Sequence, residues 1–227
     1  MIPKTIFQTH ENDYRLLPEF IKKMIENWIV MNPGFEHIYV NSEQRREYIK
    51  MFLPEIINKY DNLEGKFQAD IWRYLILYNN GGVYSDVDSI CWSSLNNLLE
   101  DKYLNEDLIA LKPIPVPKRL DFKYDKLEYV NNSNFACIKE SKVMKLILEK
   151  CINEIKDGQI TPGIFSKIVL NNKNHVLFVM NEHIDNNDEY NFGTGRFFEN
   201  DIFVKYLGKE STYQAILKNY KISKRLT

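Results

Sequence analysis

Two carboxylates two residues apart, Asp86 and Asp88, close the run Gly81-Gly82-Val83-Tyr84-Ser85-Asp86-Val87-Asp88. In an extended chain alternate side chains point the same way, so the spacing predicts that both reach one cation. Hard oxygen donors with no His or Cys beside them suit Mn2+ or Mg2+ rather than structural zinc. An ion held by two carboxylates keeps positions open for a substrate diphosphate. As a Lewis acid it would stabilise the charge that grows on a departing nucleoside diphosphate when a sugar–phosphate bond breaks. An Asp-x-Asp by itself is common in solvated turns. Here it follows a helix and a Gly-Gly corner at the end of an apolar strand, the place where open α/β sheets bind ligands.

The preceding helix carries a second pair. Asp70 and Arg73 are three apart and share a face. An exposed ion pair of this kind is worth only a few tenths of a kcal/mol, roughly. The stripe of Phe67, Ile71, Tyr74 and Tyr78 offers a second reading beside that one, a pair at the edge of the buried face near the cleft. There Asp70 would accept sugar hydroxyls and Arg73 would contact the donor.

The elements that must position these groups follow from periodicity and punctuation. Lys4 to Thr9 reads as a buried strand, Leu17 to Met31 as a helix stopped by Asn32-Pro33-Gly34, and Phe35 to Val40 as a second strand. Ser42 is placed to cap a helix bearing Tyr48, Ile49 and Phe52. Strand, helix, strand at this spacing predicts a parallel α/β opening. Glu64 to Asn79 is helical and ends at Gly81-Gly82, where the second glycine or both take positive φ. Further on, Ser93 or Ser94 caps a short helix, Leu108 to Leu111 is a strand, and Pro113 to Pro117 is a loop. Tyr129 to Ile138 is a strand broken by asparagines. Ser141 to Ile155 and Thr161 to Leu170 are helices, and His175 to Met180 is a strand. Trp28 and Trp72 fall on apolar helical stripes and belong to the core.

Composition narrows the function classes. The 227 residues carry 30 Lys+Arg against 31 Asp+Glu, a net charge of −1, so there is no basic surplus to neutralise nucleic-acid phosphates. The 44% hydrophobic content fits a folded protein, and the 13% aromatic content suits sugar sites as well as cores. Three widely spaced cysteines, Cys91, Cys137 and Cys151, form no metal pattern and read as reduced thiols. No apolar run approaches the ~20 residues of a membrane span, and the start at Met1-Ile2-Pro3-Lys4 shows no signal segment. A cytoplasmic, bacterial or virus-encoded protein is the expectation, with peripheral membrane association compatible.

Three motifs occur in order: Ile2-Pro3-Lys4-Thr5-Ile6-Phe7-Gln8-Thr9, Ala69-Asp70-x-x-Arg73-Tyr74-x-Ile76-Leu77-Tyr78, and Gly81-Gly82-Val83-Tyr84-x-Asp86-x-Asp88. With them the chain resembles the DXD-containing glycosyltransferases of the sugar-binding-region group (glycosyltransferase family 32), over roughly the first 100 residues. The core pattern is also similar to the glucosylating clostridial toxins. The resemblance implies a GT-A fold, with a Rossmann-like central mixed sheet flanked by helices in a single domain spanning 1–227. Residues 1–100 would form the nucleotide-sugar-binding half and 101–227 the acceptor-side half. It implies a nucleotide-sugar donor, with a UDP-sugar as the expectation although GDP-mannose also fits. It further implies a glycan or glycoprotein acceptor and retention at the anomeric carbon. By position, Gln8 and Thr9 would lie beside the nucleoside, and Asp70 and Arg73 would touch the donor sugar and phosphates. Tyr84 would pack on the donor, Asp86 would contact ribose and metal, and Asp88 would bind the metal.

The chain departs from that pattern where Phe7 replaces a usual His and where Thr161-Pro162-Gly163 reverses a Gly-Pro pair. A late His or Trp is also replaced by a stretch containing Lys209 and Ser211. Asn132 and Asn134 are acceptor-side candidates, with a capped turn as the plainer reading. His183 and Asp185 are a weaker polar pair, Trp92 is a stacking candidate, and His10, His37 and His175 read as structural or surface residues. Two other classes fit parts of the pattern. One is a non-catalytic nucleotide- or carbohydrate-binding module. The other is a phosphatase or phosphotransferase, which would carry its Asp-x-Asp on the first strand.

Overall fold

The computed structural model describes residues 1–91, 94–99, 105–115, 128–156, 163–179 and 204–206. Strand β1 (Thr5–Thr9) leads to helix α1 (Glu19–Met31), strand β2 (Glu36–Val40), helix α2 (Ser42–Phe52), a short α3 (Ile57–Tyr60) and the long α4 (Gly65–Asn80). Strand β3 (Gly82–Ser85) and β4 (Ser89–Cys91) flank the Asp-x-Asp. They are followed by α5 (Leu95–Leu98), β5 (Leu108–Leu111), β6 (Ile114–Pro115), β7 (Glu128–Tyr129) and β8 (Asn134–Cys137). Helices α6 (Lys142–Lys156) and α7 (Ile164–Asn171), then β9 (Val176–Val179) and β10 (Val204–Tyr206), complete the order.

The sheet is mixed, as expected, with strand order β2-β1-β3-β8-β5-β9. β1 pairs in parallel with β2 on one side and β3 on the other, β8 runs antiparallel to both β3 and β5, and β9 is parallel to β5. The chain leaves β1 toward β2, then crosses back over β1 to form β3. The carboxyl ends of β1 and β3 therefore flank a topological switch point, where a crevice opens.

Alternation along the strands builds two cores. Phe7, Tyr84, Phe135 and Ala110 face α4, α6 and α7, whereas Ile6, Val83, Ala136 and Ile109 face Trp28 of α1 and Leu95 of α5. Trp28 and Trp72 are each 1% exposed, as their stripes predict. Phe7 belongs to the helix-side core, so its ring occupies apolar space. A third cluster packs Leu17, Phe20, Ile21, Met24 and Ile25 around Val87, the residue between the two aspartates.

Several boundaries differ from the sequence reading for local reasons. Helix α2 is capped by Asn41 rather than Ser42, because Asn41 and Gln44 form a reciprocal capping box. Ser94 caps α5. The strand foreseen over Tyr129 to Ile138 splits into β7 and β8, since the Asn131 side chain accepts the Ser133 N–H and turns the chain. β6 pairs with β7, so part of the proline-rich loop is a short ribbon. Helix α7 begins after Gly163, at φ +81°. Thr161, Pro162 and Ser93 lie outside the described residues, as do Trp92, His183, Asp185, Lys209 and Ser211. Among the described residues no helix is long and apolar enough to cross a membrane.

Both glycines after α4 take positive φ, +68° at Gly81 and +107° at Gly82. A Cβ on Gly81 would lie 2.6 Å from the Lys139 nitrogen, and one on Gly82 2.7 Å from the Thr5 oxygen. The corner thus needs glycine for both its backbone angles and its close approach to β1 and β8. Gly82→Ala is expected to lower unfolding free energy by about 1–3 kcal/mol. Urea denaturation checks this, and an unchanged midpoint would contradict the packing described.

Candidate active site

The crevice at the switch point holds a cavity of about 210 Å³. Its wall draws Thr9, His10 and Glu11 from the end of β1, Arg45 from α2, and Gly65, Lys66 and Arg73 from α4. Tyr84, Asp86, Val87 and Asp88 join it from the end of β3, with Ile21 of α1 and Ala69 of α4 beside them. The two aspartates meet on this cavity by a different route from the one their spacing suggested. β3 ends at Ser85, and the Ser89 N–H donates to the Asp86 carbonyl at 3.1 Å, so the pair sits in a tight turn rather than an extended strand. The turn is anchored from three sides. Val87 is buried against α1, the Asp86 N–H donates to the Ser133 carbonyl at 2.9 Å, and the Trp28 indole donates to the Ser89 carbonyl at 2.9 Å.

Arg73 is the cation paired with Asp86 and Asp70. Its side chain is 8% exposed, with Nη1 3.2 Å from Asp86 Oδ1 and Nη2 3.3 Å from Asp70 Oδ1. Nη1 also donates to the Asn132 carbonyl at 2.8 Å, and the guanidinium lies 4.4 Å from the Tyr84 ring centroid. Burial opposes its charge, but Asp86 and the other neighbours outweigh that and hold its pKa above the ordinary arginine value. The Tyr84 hydroxyl donates to Asp86 Oδ1 at 2.6 Å. Asp86 is therefore aimed by two donors on one oxygen.

Asp88 is different. Its Oδ1 is buried and accepts no hydrogen bond from the described residues. Burial and then the charge of Asp86 push its carboxyl up to about 7. A buried carboxylate oxygen without a donor, beside a second carboxylate, is costly as an anion unless a cation joins it. The donor set therefore fits Mn2+ or Mg2+. No cluster of three or more His, Cys, Asp or Glu suited to a metal occurs among the described residues. Two carboxylates plus substrate phosphates is the usual way such ions are held.

The other expected residues are placed as follows. Thr9 lines the cavity, and its hydroxyl donates to the Val40 carbonyl and accepts from Arg45. Asp70 stands beside Arg73 without joining the cavity wall. Burial pushes its carboxyl up, and Arg73 opposes this. Asn132 Nδ2 donates to Asp70 Oδ1 at 3.0 Å and to the Tyr74 hydroxyl at 2.6 Å, so its amide serves this network. Asn134 is 2% exposed in β8, where its amide donates to Ser133 and Ser89. Gln8 is fully buried and does not line the cavity.

Sequence reasoning passed over Arg45 and Glu11. Arg45 is 1% exposed at its side chain and donates to Thr9 Oγ1 at 2.7 Å, the His10 carbonyl at 3.1 Å and Glu11 Oε1 at 2.5 Å. These bonds stiffen the loop after β1. Glu11 in turn lies against Gly65, where a Cβ would come within 2.8 Å of its carboxylate. The available signal was Arg45 sharing the buried stripe of Ile49, four residues on, which is unusual for a charged residue.

Residues 18–105 match the family described as the glycosyltransferase sugar-binding region containing a DXD motif. The chain is 35% identical over 101 residues to an uncharacterised glycosyltransferase of Acanthamoeba polyphaga mimivirus, covering 44% of this chain and 40% of that protein. It is 34% identical over 99 residues to inositol phosphoceramide mannosyltransferase 3 of Schizosaccharomyces pombe, covering 43% of this chain and 27% of that protein. The chain thus spans less than half the length of these curated relatives. Among solved structures, the PaToxG glycosyltransferase superposes with a TM-score of 0.53 at 14% identity, over 75% of this chain and 69% of that one. Mouse xyloside xylosyltransferase 1 does so with a TM-score of 0.51 at 9% identity, over 79% of this chain and 86% of that one. The fold is the GT-A arrangement, and the first half of the chain resembles DXD glycosyltransferases.

The Asp88 carboxyl sets a pH dependence. A folded-state pKa raised above the unfolded value means that the group's contribution to stability is full below the unfolded pKa and is lost as pH rises through about 7. Without divalent metal, Asp88→Asn is therefore expected to melt higher than wild type at pH 8, with the difference shrinking toward pH 4. Thermal unfolding across that range checks this, and a difference independent of pH would refute it.

Proposed function

We propose that the chain is a metal-dependent glycosyltransferase. It moves a hexose-like sugar from a nucleotide-sugar donor to a glycan or other acceptor, with retention at the anomeric carbon. The observation that carries the proposal is the buried, unbonded Asp88 oxygen beside Asp86, on a cavity that Arg73 shares at the β1/β3 switch point. Asp86 and Asp88 would hold Mn2+ or Mg2+, which when bound supplies Lewis-acid stabilisation to the leaving diphosphate.

The rest is work for the chain's own groups. Arg73, already desolvated and oriented by Asp70, Asp86 and the Asn132 carbonyl, presents fixed positive charge where negative charge develops. Tyr84 holds Asp86 in its rotamer through the short hydroxyl bond and backs the guanidinium with its ring. Thr9 and the loop clamped by Arg45 border the same space and would frame the nucleoside. Retention requires no protein nucleophile if the departing phosphate oxygen accepts the acceptor's proton on the same face.

A UDP-hexose is the donor expected from the resemblance, and the mannosyltransferase name of the fungal relative brings a mannosyl donor into the same panel. Slow hydrolysis of UDP-glucose, UDP-galactose or GDP-mannose, measured with Mn2+ and again in chelator, tests the proposal. Hydrolysis is expected with metal only, to vanish in Asp88→Ala, and to fall about 100-fold or more in Arg73→Lys. Activity that survives chelator or Asp88→Ala would overturn the metal mechanism. Metal-dependent binding without turnover would instead identify a binding module. A product linkage inverted relative to the donor, read by NMR, would overturn retention.

A further inference from the structure

Gln8 and His37 are polar residues on neighbouring strands, facing a layer otherwise built from Ile6, Trp28 and Val83. Gln8 is 0% exposed and has no place on the cavity wall. A buried primary amide must satisfy its donors and acceptor or cost stability. Its Nε2 lies 3.4 Å from the Asp86 carbonyl oxygen, and its Oε1 lies 2.7 Å from His37 Nε2.

These two contacts determine the direction of the chain of bonds. A carbonyl only accepts, so the Gln8 nitrogen faces Asp86 and the Gln8 oxygen faces His37. An amide oxygen also only accepts, so His37 Nε2 carries the proton. Burial lowers the His37 pKa to about 4, which keeps the ring neutral and the tautomer defined. The Asp86 carbonyl is the closing acceptor of the Asp-x-Asp turn. It takes the Ser89 N–H at 3.1 Å and the Ser85 hydroxyl at 3.1 Å as well as the Gln8 amide. The peptide plane between Asp86 and Val87 sets the backbone course from Asp86 to Asp88, and the Gln8 amide ties this plane to β1.

We propose that Gln8 and His37 are positioning residues for the Asp86–Asp88 cation site: His37 Nε2–H orients the Gln8 amide, and the amide holds the Asp86 carbonyl and thereby the turn. This rests on the metal reading above and deepens it, and it gives Gln8 a role behind the site instead of against the nucleoside. Partners one step behind metal ligands commonly change metal affinity by about 10–100-fold when lost.

The test is Mn2+ uptake by the intact chain, followed by loss of the aqueous Mn2+ EPR signal, alongside thermal unfolding without metal. Gln8→Leu and Gln8→Glu are both expected to weaken Mn2+ binding about 10-fold or more, because neither offers the Asp86 carbonyl an N–H. His37→Leu is expected to weaken it in the same direction, and His37→Gln, which keeps a donor nitrogen at similar reach, to restore it. The double variant Gln8→Leu/His37→Leu should bind Mn2+ no more weakly than Gln8→Leu alone, a non-additivity that two merely structural losses would not show. Wild-type affinity in folded Gln8→Leu, or additive losses in the double variant, would overturn the inference while leaving the metal reading standing. No Mn2+ uptake by wild type would overturn both. Should Gln8→Leu not fold, the contrast between His37→Leu and His37→Gln on the half-buried edge strand decides the matter by itself.

Discussion

A desolvated guanidinium organises this site. Arg73 lies almost wholly out of water, and a cation there persists only if anions and hydrogen-bond acceptors replace the lost hydration. Asp86, Asp70 and the Asn132 carbonyl do so, and they come from three separate elements: the turn after β3, helix α4, and the bend before β8. Satisfying one charge therefore locks three pieces of backbone together. Removing either carboxylate would leave the guanidinium partly uncompensated, a change that commonly costs about 3–5 kcal/mol in buried pairs. The network is accordingly both a stability element and an electrostatic one.

The same constraint explains the unequal treatment of the two aspartates. Asp86 is saturated on one oxygen by Tyr84 and Arg73, so its orientation is set before any ligand arrives. Asp88 has a buried oxygen to which none of the described residues donates, and burial raises the pKa of its carboxyl. An oriented carboxylate beside a poorly satisfied one is what the proposed cation site calls for: the scaffold would bear the strain of assembly, and a bound ion would relieve it. Val87 contributes by burying its side chain against α1, which fixes the turn's depth without using a polar group.

Much of the plan was legible along the chain. The apolar runs at Ile6-Phe7 and at Val83-Tyr84 announced strands, the first of them buried. The stripe of α4 announced a helix laid on the sheet with Arg73 at its edge. The glycine pair announced a corner that other residues resist, and of the two possibilities left open there the structure has positive φ at both. Other features were hidden because they depend on partners distant in sequence. Nothing near Arg45 reveals that Glu11 and Thr9 will meet it. Nothing near Asn132 shows that its amide will join Asp70 and Tyr74, and the turn at Asp86 is closed partly by Gln8, which lies 78 positions away.

Residue types and spacing by themselves determined the α/β class, the identity of the two carboxylates and the Asp70–Arg73 pair, because these follow from local periodicity and from what each side chain can ligate. Tertiary structure alone decided how the carboxylates reach one cavity: through a turn rather than along a strand, with one aimed by hydrogen bonds and the other keeping one buried oxygen to which no described residue donates. The reason is physical. Conformational preference acts between neighbours in sequence, whereas burial, charge compensation and hydrogen-bond satisfaction act between neighbours in space, and those exist only once the sheet has brought β1, β3 and β8 side by side.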